Sequence, residues 1–144
     1  MTTSDSWIAF DTNIYIFGIR EEPKFPACAE LLQKIGALHL YIPRQIIREL
    51  QKNLQPNEVH ELFGLFMRYP NRVKINWHPT APALIEKFQE LGCKFGDAVV
   101  AAHLEAEGVR TLISENRHFL TEIQGLPFRI LNAATAMQEL SRID

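Results

Sequence analysis

The sequence predicts a doubly wound α/β domain, and three observations lead there. Five short apolar or β-branched runs are spaced along the chain, each is followed by a stretch of helical character, and the length of 144 residues suits one domain over 1–144. The runs are Trp7–Phe10, Leu38–Ile42, Val73–Trp77, Thr111–Ser114 and Phe128–Leu131. Runs this short between helices read as buried parallel strands. A chain of about 150 residues can bury roughly 68–70% of its unfolded surface, so its core needs no disulfide or metal staple.

Taken in order, the first strand ends in Asp11-Thr12-Asn13, with a helix beginning near Asn13 and a second near Pro26. Pro43 follows the second strand and leads into a helix over Arg44–Asn53. Pro56 precedes a helix at Asn57, where the missing proline N–H costs little. After the third strand, Pro79 and Pro82 mark a loop, and a helix starts near Pro82. Asp97 precedes the periodic set Val100, Ala101 and Leu104, a helix that Gly108 ends. The fourth strand gives way to a helix near Asn116, and the fifth to one near Asn132.

Composition excludes several classes. With 15 Lys+Arg against 17 Asp+Glu the net charge is −2, so bulk basicity cannot drive nucleic-acid binding and any such binding needs a local patch. The 47% apolar share argues against disorder, and no stretch approaches the ~18 apolar residues of a membrane span. Met1–Trp7 lacks the basic and apolar regions of a secretory signal. Cys28 and Cys93 form no CxxC pair, which excludes a zinc knuckle and suits buried thiols in a reducing, cytoplasmic setting. No two of the five histidines lie at i, i+3 or i+4. No repeat, Gly-rich phosphate loop or GxSxG elbow occurs.

In doubly wound sheets, function collects at the carboxyl ends of the strands. Asp11 stands directly after the first strand; it suits a helix cap as well as a site. Asp97 in Gly96-Asp97-Ala98 carries the same two readings. Glu49 lies on the Arg44–Asn53 helix, where a solvated face with a weak ion pair is the plain alternative. After the fourth strand comes a further polar cluster, Ser114-Glu115-Asn116-Arg117-His118.

Together these residues resemble the PIN-domain nucleases, the family that includes the VapC-type ribonuclease toxins. The matching residues are Asp11-Thr12-Asn13, then Ile42-Pro43 through Ile47 to Glu49-Leu50. They continue as Gly96-Asp97-Ala98 with Ala101-Ala102, Leu104-Glu105 and Gly108, running on to Leu112-Ile113-Ser114, Asn116 and Phe119. The ordered set spans about residues 7 to 136. The resemblance implies a three-layer α/β/α fold with a central, mostly parallel five-stranded sheet. It implies a metal-dependent endoribonuclease that cleaves RNA phosphodiester bonds with Mg²⁺ or Mn²⁺ in an acidic cleft. Asp11, Glu49 and Asp97 take the three principal acidic positions. Asn116 takes a fourth that is commonly Asp, and His118 one that is often acidic. Glu115 is one residue out of register with these positions.

Crowded carboxylates repel, so without a cation at least one takes up a proton. A hard divalent ion relieves this and can activate a bound water. Asp11 and Asp97 are read as direct metal ligands, and Glu49 as a ligand through water or the residue that orients the attacking water. Asn116 completes the catalytic set with a carbonyl oxygen but no charge. Candidates for touching RNA are Thr12, Asn13, Ser114, Arg117, and Arg44 and Arg48, which with Lys52 stripe the helix carrying Glu49. The apolar stretch Asn57–Arg68 reads mostly as core; in the toxin branch this region receives an antitoxin and supports homodimers. A phosphatase of the haloacid dehalogenase type would need a second Asp where Asn13 stands, and a receiver domain an Asp after the third strand. The alternative that persists is a PIN-like RNA-binding or regulatory module with little or no catalysis.

Overall fold

The computed structural model describes residues 6–143 and has five strands and seven α-helices among them. Met1–Asp5, within which most of the signal-free opening falls, lie outside the described residues. In chain order the elements are β1 (Trp7–Phe10), α1 (Thr12–Ile19), α2 (Pro26–Gln33), β2 (His39–Pro43), α3 (Arg44–Asn53), α4 (Pro56–Met67) and β3 (Val73–Asn76). They continue with α5 (Pro82–Glu90), α6 (Phe95–Glu107), β4 (Thr111–Ile113), β5 (Arg129–Leu131) and α7 (Ala133–Ile143). A 3₁₀ turn, Ile35–Ala37, precedes β2, and a single π turn, His118–Glu122, lies between β4 and β5.

All four strand pairings are parallel, in the order β3-β2-β1-β4-β5. The chain therefore builds outward from β1 to β3, then returns to the other side of β1 for β4 and β5. The reversal lies between β1 and β4, where Ala9 pairs with Leu112 and Phe10 with Ile113. Crossovers in opposite directions place their helices on opposite faces when each is right-handed. Accordingly α1 packs on α2, α3 and α4, and α7 on α2, while α5 and α6 pair as the other layer. The result is the three-layer α/β/α arrangement.

Local chemistry sets the boundaries. Proline occupies the first positions of α2, α4 and α5, where it removes no helical hydrogen bond. The Glu58 carboxylate accepts the Gln55 N–H at 2.8 Å, closing a capping box at the start of α4. Gly108, at φ +71°, adopts the left-handed turn that ends α6. Phe10, Ile14, Tyr15, Leu40, Ile42, Ile46, Phe88 and Leu112 are sealed in the core, as are both free thiols, Cys28 and Cys93. Within the apolar α4 stretch Leu62 and Phe66 are buried, Phe63 and Leu65 half-buried, and Met67 exposed. Among the described residues no helix is long and apolar enough to cross a membrane.

Three expectations are corrected. Trp77 is not the last residue of β3: it leaves the sheet edge and is exposed. Asp97 does not precede its helix, since Lys94 is the cap residue and Asp97 the third residue of the first turn. The helix expected from Asn116 is only the π turn, because Pro127 and the short span to β5 leave no room for more.

Candidate functional site

The strand order reverses between β1 and β4, the place where doubly wound sheets carry their ligand crevice, and Asp11 stands at the carboxyl end of β1 there. Its backbone N–H donates to the Ile113 carbonyl at 2.8 Å, extending the β1–β4 ladder by one bond. One carboxylate oxygen accepts the Thr12 N–H at 2.9 Å, so Asp11 does cap α1. The other accepts the Ser114 hydroxyl at 2.8 Å. The cap and site readings of Asp11 are thus compatible: one oxygen serves the helix and the other faces the β4 end.

Glu49 enters from α3, one and a half turns after β2. Its two oxygens accept the Thr12 hydroxyl at 2.5 Å and the Gln45 amide at 2.9 Å. Thr12 therefore holds Asp11 through its N–H and Glu49 through its hydroxyl. Asp97 enters from the first turn of α6, two residues after the exposed Phe95. Gly96 makes the approach possible: a Cβ there would stand 3.0 Å from the nearer Glu49 oxygen and 3.5 Å from the Gln45 amide nitrogen. Asn53, placed near Glu49 by spacing, instead donates to the Glu49 backbone carbonyl.

The electrostatics show that the three acids share one space. Burial pushes the Asp11 carboxyl up to about 6; the Ser114 and Thr12 hydrogen bonds oppose this, and the charges of Asp97 and Glu49 add to it. Asp97 is also raised, by burial first and then by Glu49, against the opposing charges of His118 and Lys94.

The fourth position behaves differently from an acid. The Asn116 carbonyl accepts the His118 N–H at 3.0 Å, and its amide N–H group faces Asp97 at 3.5 Å. Of the two uses open to the Asn116 carbonyl, ligation or hydrogen bonding, it makes a hydrogen bond to the π turn, and the amide donor faces the acids. His118 bonds the Glu122 carboxylate through Nδ1 at 2.7 Å and the Gly92 carbonyl through Nε2 at 3.0 Å. Both partners are acceptors, so the two bonds favour the protonated ring and raise its pKa. Glu115 points away, its carboxylate accepting the Ala133 N–H at 2.8 Å at the start of α7.

The residues expected to touch RNA divide into two groups. Ser114 is fully buried between Asp11 and the Asn116 N–H, and Thr12 is buried between two acids, so both position carboxylates. Asn13 is half-buried and accepts the Glu115 N–H at 3.3 Å. Arg48 and Arg117 are exposed, and Arg44 is half-buried, its charge helping burial hold the His103 imidazole down. Gln45 is not among the residues expected from sequence, and Gly96 enters there only within the Gly96-Asp97-Ala98 motif. The spacing of Gln45 four residues before Glu49 is the signal that marks it.

Among the described residues no three His, Cys, Asp or Glu side chains are gathered tightly enough to hold a metal ion as they stand. The donor set nevertheless fits a hard divalent cation in kind. It consists of carboxylate oxygens, and at Asp11 and Asp97 burial first and the neighbouring carboxylates second raise the proton affinity, the condition that a cation relieves. An open depression of about 600 Å³ lined by Glu30, Lys34, Tyr69 and Met137 lies beside the segments entering β2 and β3, away from the acids.

No protein-family model matches the chain, and no curated protein matches it by sequence. Solved structures do match. VapBC2 from Rickettsia felis, bound to a DNA fragment from its promoter, aligns with a TM-score of 0.57 at 18% identity, over 88% of this chain and 98% of that one. PAE2754 from Pyrobaculum aerophilum gives 0.59 at 14% identity, over 95% and 97%. FitAcB from Neisseria gonorrhoeae gives 0.54 at 15% identity, over 88% and 98%. The chain has the PIN-domain fold. In this fold the three carboxylates emerge after β1, on the helix after β2, and on the helix before β4. At these identities the likeness concerns the fold.

Proposed function

We propose that this PIN-fold chain is a metal-dependent endoribonuclease, with Asp11, Glu49 and Asp97 as its principal acids. The observation that carries the reading is that carboxylates from three separate elements converge: Asp11 is buried within reach of the charges of Asp97 and Glu49, and Asp97 within reach of that of Glu49. A merely structural core has no use for such an arrangement, since each buried charge costs several kcal/mol unless it is compensated. Asp11 and Asp97 would hold Mg²⁺ or Mn²⁺, with Glu49 as a ligand through water or as the group orienting water. The bound ion would supply charge neutralisation at the phosphate and a more acidic water.

The chain's own residues do the positioning. Ser114 and Thr12 fix the Asp11 oxygens, Thr12 and Gln45 fix those of Glu49, and Gly96 lets Asp97 approach. Asn116 donates toward Asp97 and adds no charge, so a single firmly held ion suits this set. Arg48 and Arg117 provide exposed cations for the phosphate backbone.

The likeness to VapBC2 and FitAcB supports a toxin paired with a protein antitoxin. A homodimer acting in the cytoplasm belongs to the same reading. The second reading, a PIN-like RNA-binding or regulatory module, is favoured by one observation: Asn116 and His118 present an amide and an imidazole where acids are expected. Incubation of purified protein with a mixed RNA pool in Mn²⁺, Mg²⁺ or EDTA separates the two. Metal-dependent cutting supports the enzyme; RNA binding without cutting supports the module.

A further inference from the structure

We infer that Phe95 and Lys94 form a ledge at the cleft mouth for one unpaired nucleotide of a single-stranded nucleic acid, its base stacking on the Phe95 ring. The inference rests on reading the cleft as one that handles nucleic acid, and it adds where the strand is gripped and why it must be single. Phe95 opens α6 and is 61% exposed. A phenylalanine left that far out forgoes most of the roughly 1.5–3 kcal/mol that burying its side chain contributes. Among the described residues it belongs neither to the core nor to any ring pair, so the fold makes no use of its aromatic face. The contact between α5 and α6 is served instead by buried side chains such as Phe88.

The surroundings name the ligand class. Asp97 follows Phe95 by two residues in the first turn of α6, and exposed Lys94 precedes Phe95 as the cap residue. Arg117, next to the π turn, is a second exposed cation. Cations on the rim and carboxylates inside suit a phosphate strand that crosses the rim and presents one phosphate to the acids. An aromatic face beside a cation matches the repeat of base and phosphate in a single nucleotide. The segment leading into the ledge is tied to the π turn and so to Arg117, because His118 bonds the Gly92 carbonyl at 3.0 Å. Stacking is indifferent to base identity, so the ledge distinguishes unpaired strands from duplex, whose base faces are already covered.

The test uses the whole chain in EDTA and reads fluorescence anisotropy of three probes: a single-stranded RNA octamer, the same length of abasic strand, and the duplex. Wild type should bind the base-bearing single strand best. Phe95→Leu should weaken that complex by about 5- to 150-fold and leave the abasic strand unchanged, while Phe95→Trp retains full affinity. Lys94→Gln should weaken both single strands and lower the salt dependence by about one counterion. The inference is overturned if Phe95→Leu binds the octamer within about twofold of wild type, or weakens both strands equally. It is overturned too if wild type prefers duplex or binds no strand. Phe95→Leu that binds RNA normally but no longer self-associates would assign the ring to a protein contact instead. Metal-dependent cleavage, measured separately, keeps the two claims apart. Cutting with an unaffected Phe95→Leu complex removes the ledge alone, and base-dependent binding without cutting removes the nuclease alone.

Discussion

The Ser114 hydroxyl donates to the Asp11 carboxylate at 2.8 Å, joining residues 103 positions apart across the ends of β4 and β1. Both are buried, so the bond ties the floor of the cleft to the strand reversal that creates it. Ser114→Ala removes the donor and leaves a buried carboxylate oxygen without it. The Asp11 pKa then rises further, and the acidic limb of the cleavage pH profile moves upward. The loss in stability should be about 1–3 kcal/mol, read from urea denaturation.

Asp11 gives the protein a specific pH dependence without added metal. Its folded pKa, pushed up to about 6 from 3.8, means that the native state holds this proton more tightly than the unfolded chain does. The unfolded state therefore binds fewer protons between those values, and stability falls as pH rises from 4 to 6. The size of the fall is about 3 kcal/mol if Asp11 acts alone. Denaturation in EDTA across that range should show it, Asp11→Asn should flatten it, and Mn²⁺ should restore stability above pH 6.

Gly96→Ala separates packing at the site from folding. The added methyl meets Glu49 at 3.0 Å and must displace either that carboxylate or the first turn of α6. Alanine improves helix propensity by up to about 1 kcal/mol, which offsets the crowding in the overall stability. Thermal melting should barely move, whereas cleavage should drop by about 10–100-fold.

The strand alternation was legible because buried strands this short have no polar face to disguise them. Helix α3 was legible from Pro43 to Asn53 because its apolar positions recur at helical spacing. Asp97 was misplaced relative to its helix because Asp is favourable both at a cap and in the first turn, and only packing against α3 decides between them. The hydroxyl partners of Ser114 and Thr12 were hidden for a different reason. Whether a hydroxyl at a strand end faces solvent or a carboxylate depends on partners 103 and 37 residues away, respectively. Glu115 likewise finds Ala133 and caps α7, a pairing that local spacing does not encode.

Asn116→Asp restores an acid at the fourth position. The present amide donates toward Asp97; a carboxylate there would repel it and raise its pKa further. Metal-free protein should become less stable at neutral pH, while Mn²⁺ affinity rises by about tenfold, or 1.4 kcal/mol. Calorimetric titration with Mn²⁺ checks both terms when paired with melts in EDTA.

The most direct measurement is Mn²⁺ affinity and RNA cleavage determined together for wild type and Asp97→Asn, with Asp11→Asn as a companion. If the three acids jointly hold the ion, each substitution weakens Mn²⁺ binding and abolishes cutting while leaving the fold intact. A folded Asp97→Asn protein that binds Mn²⁺ and cuts RNA like wild type would contradict the acidic-cleft assignment.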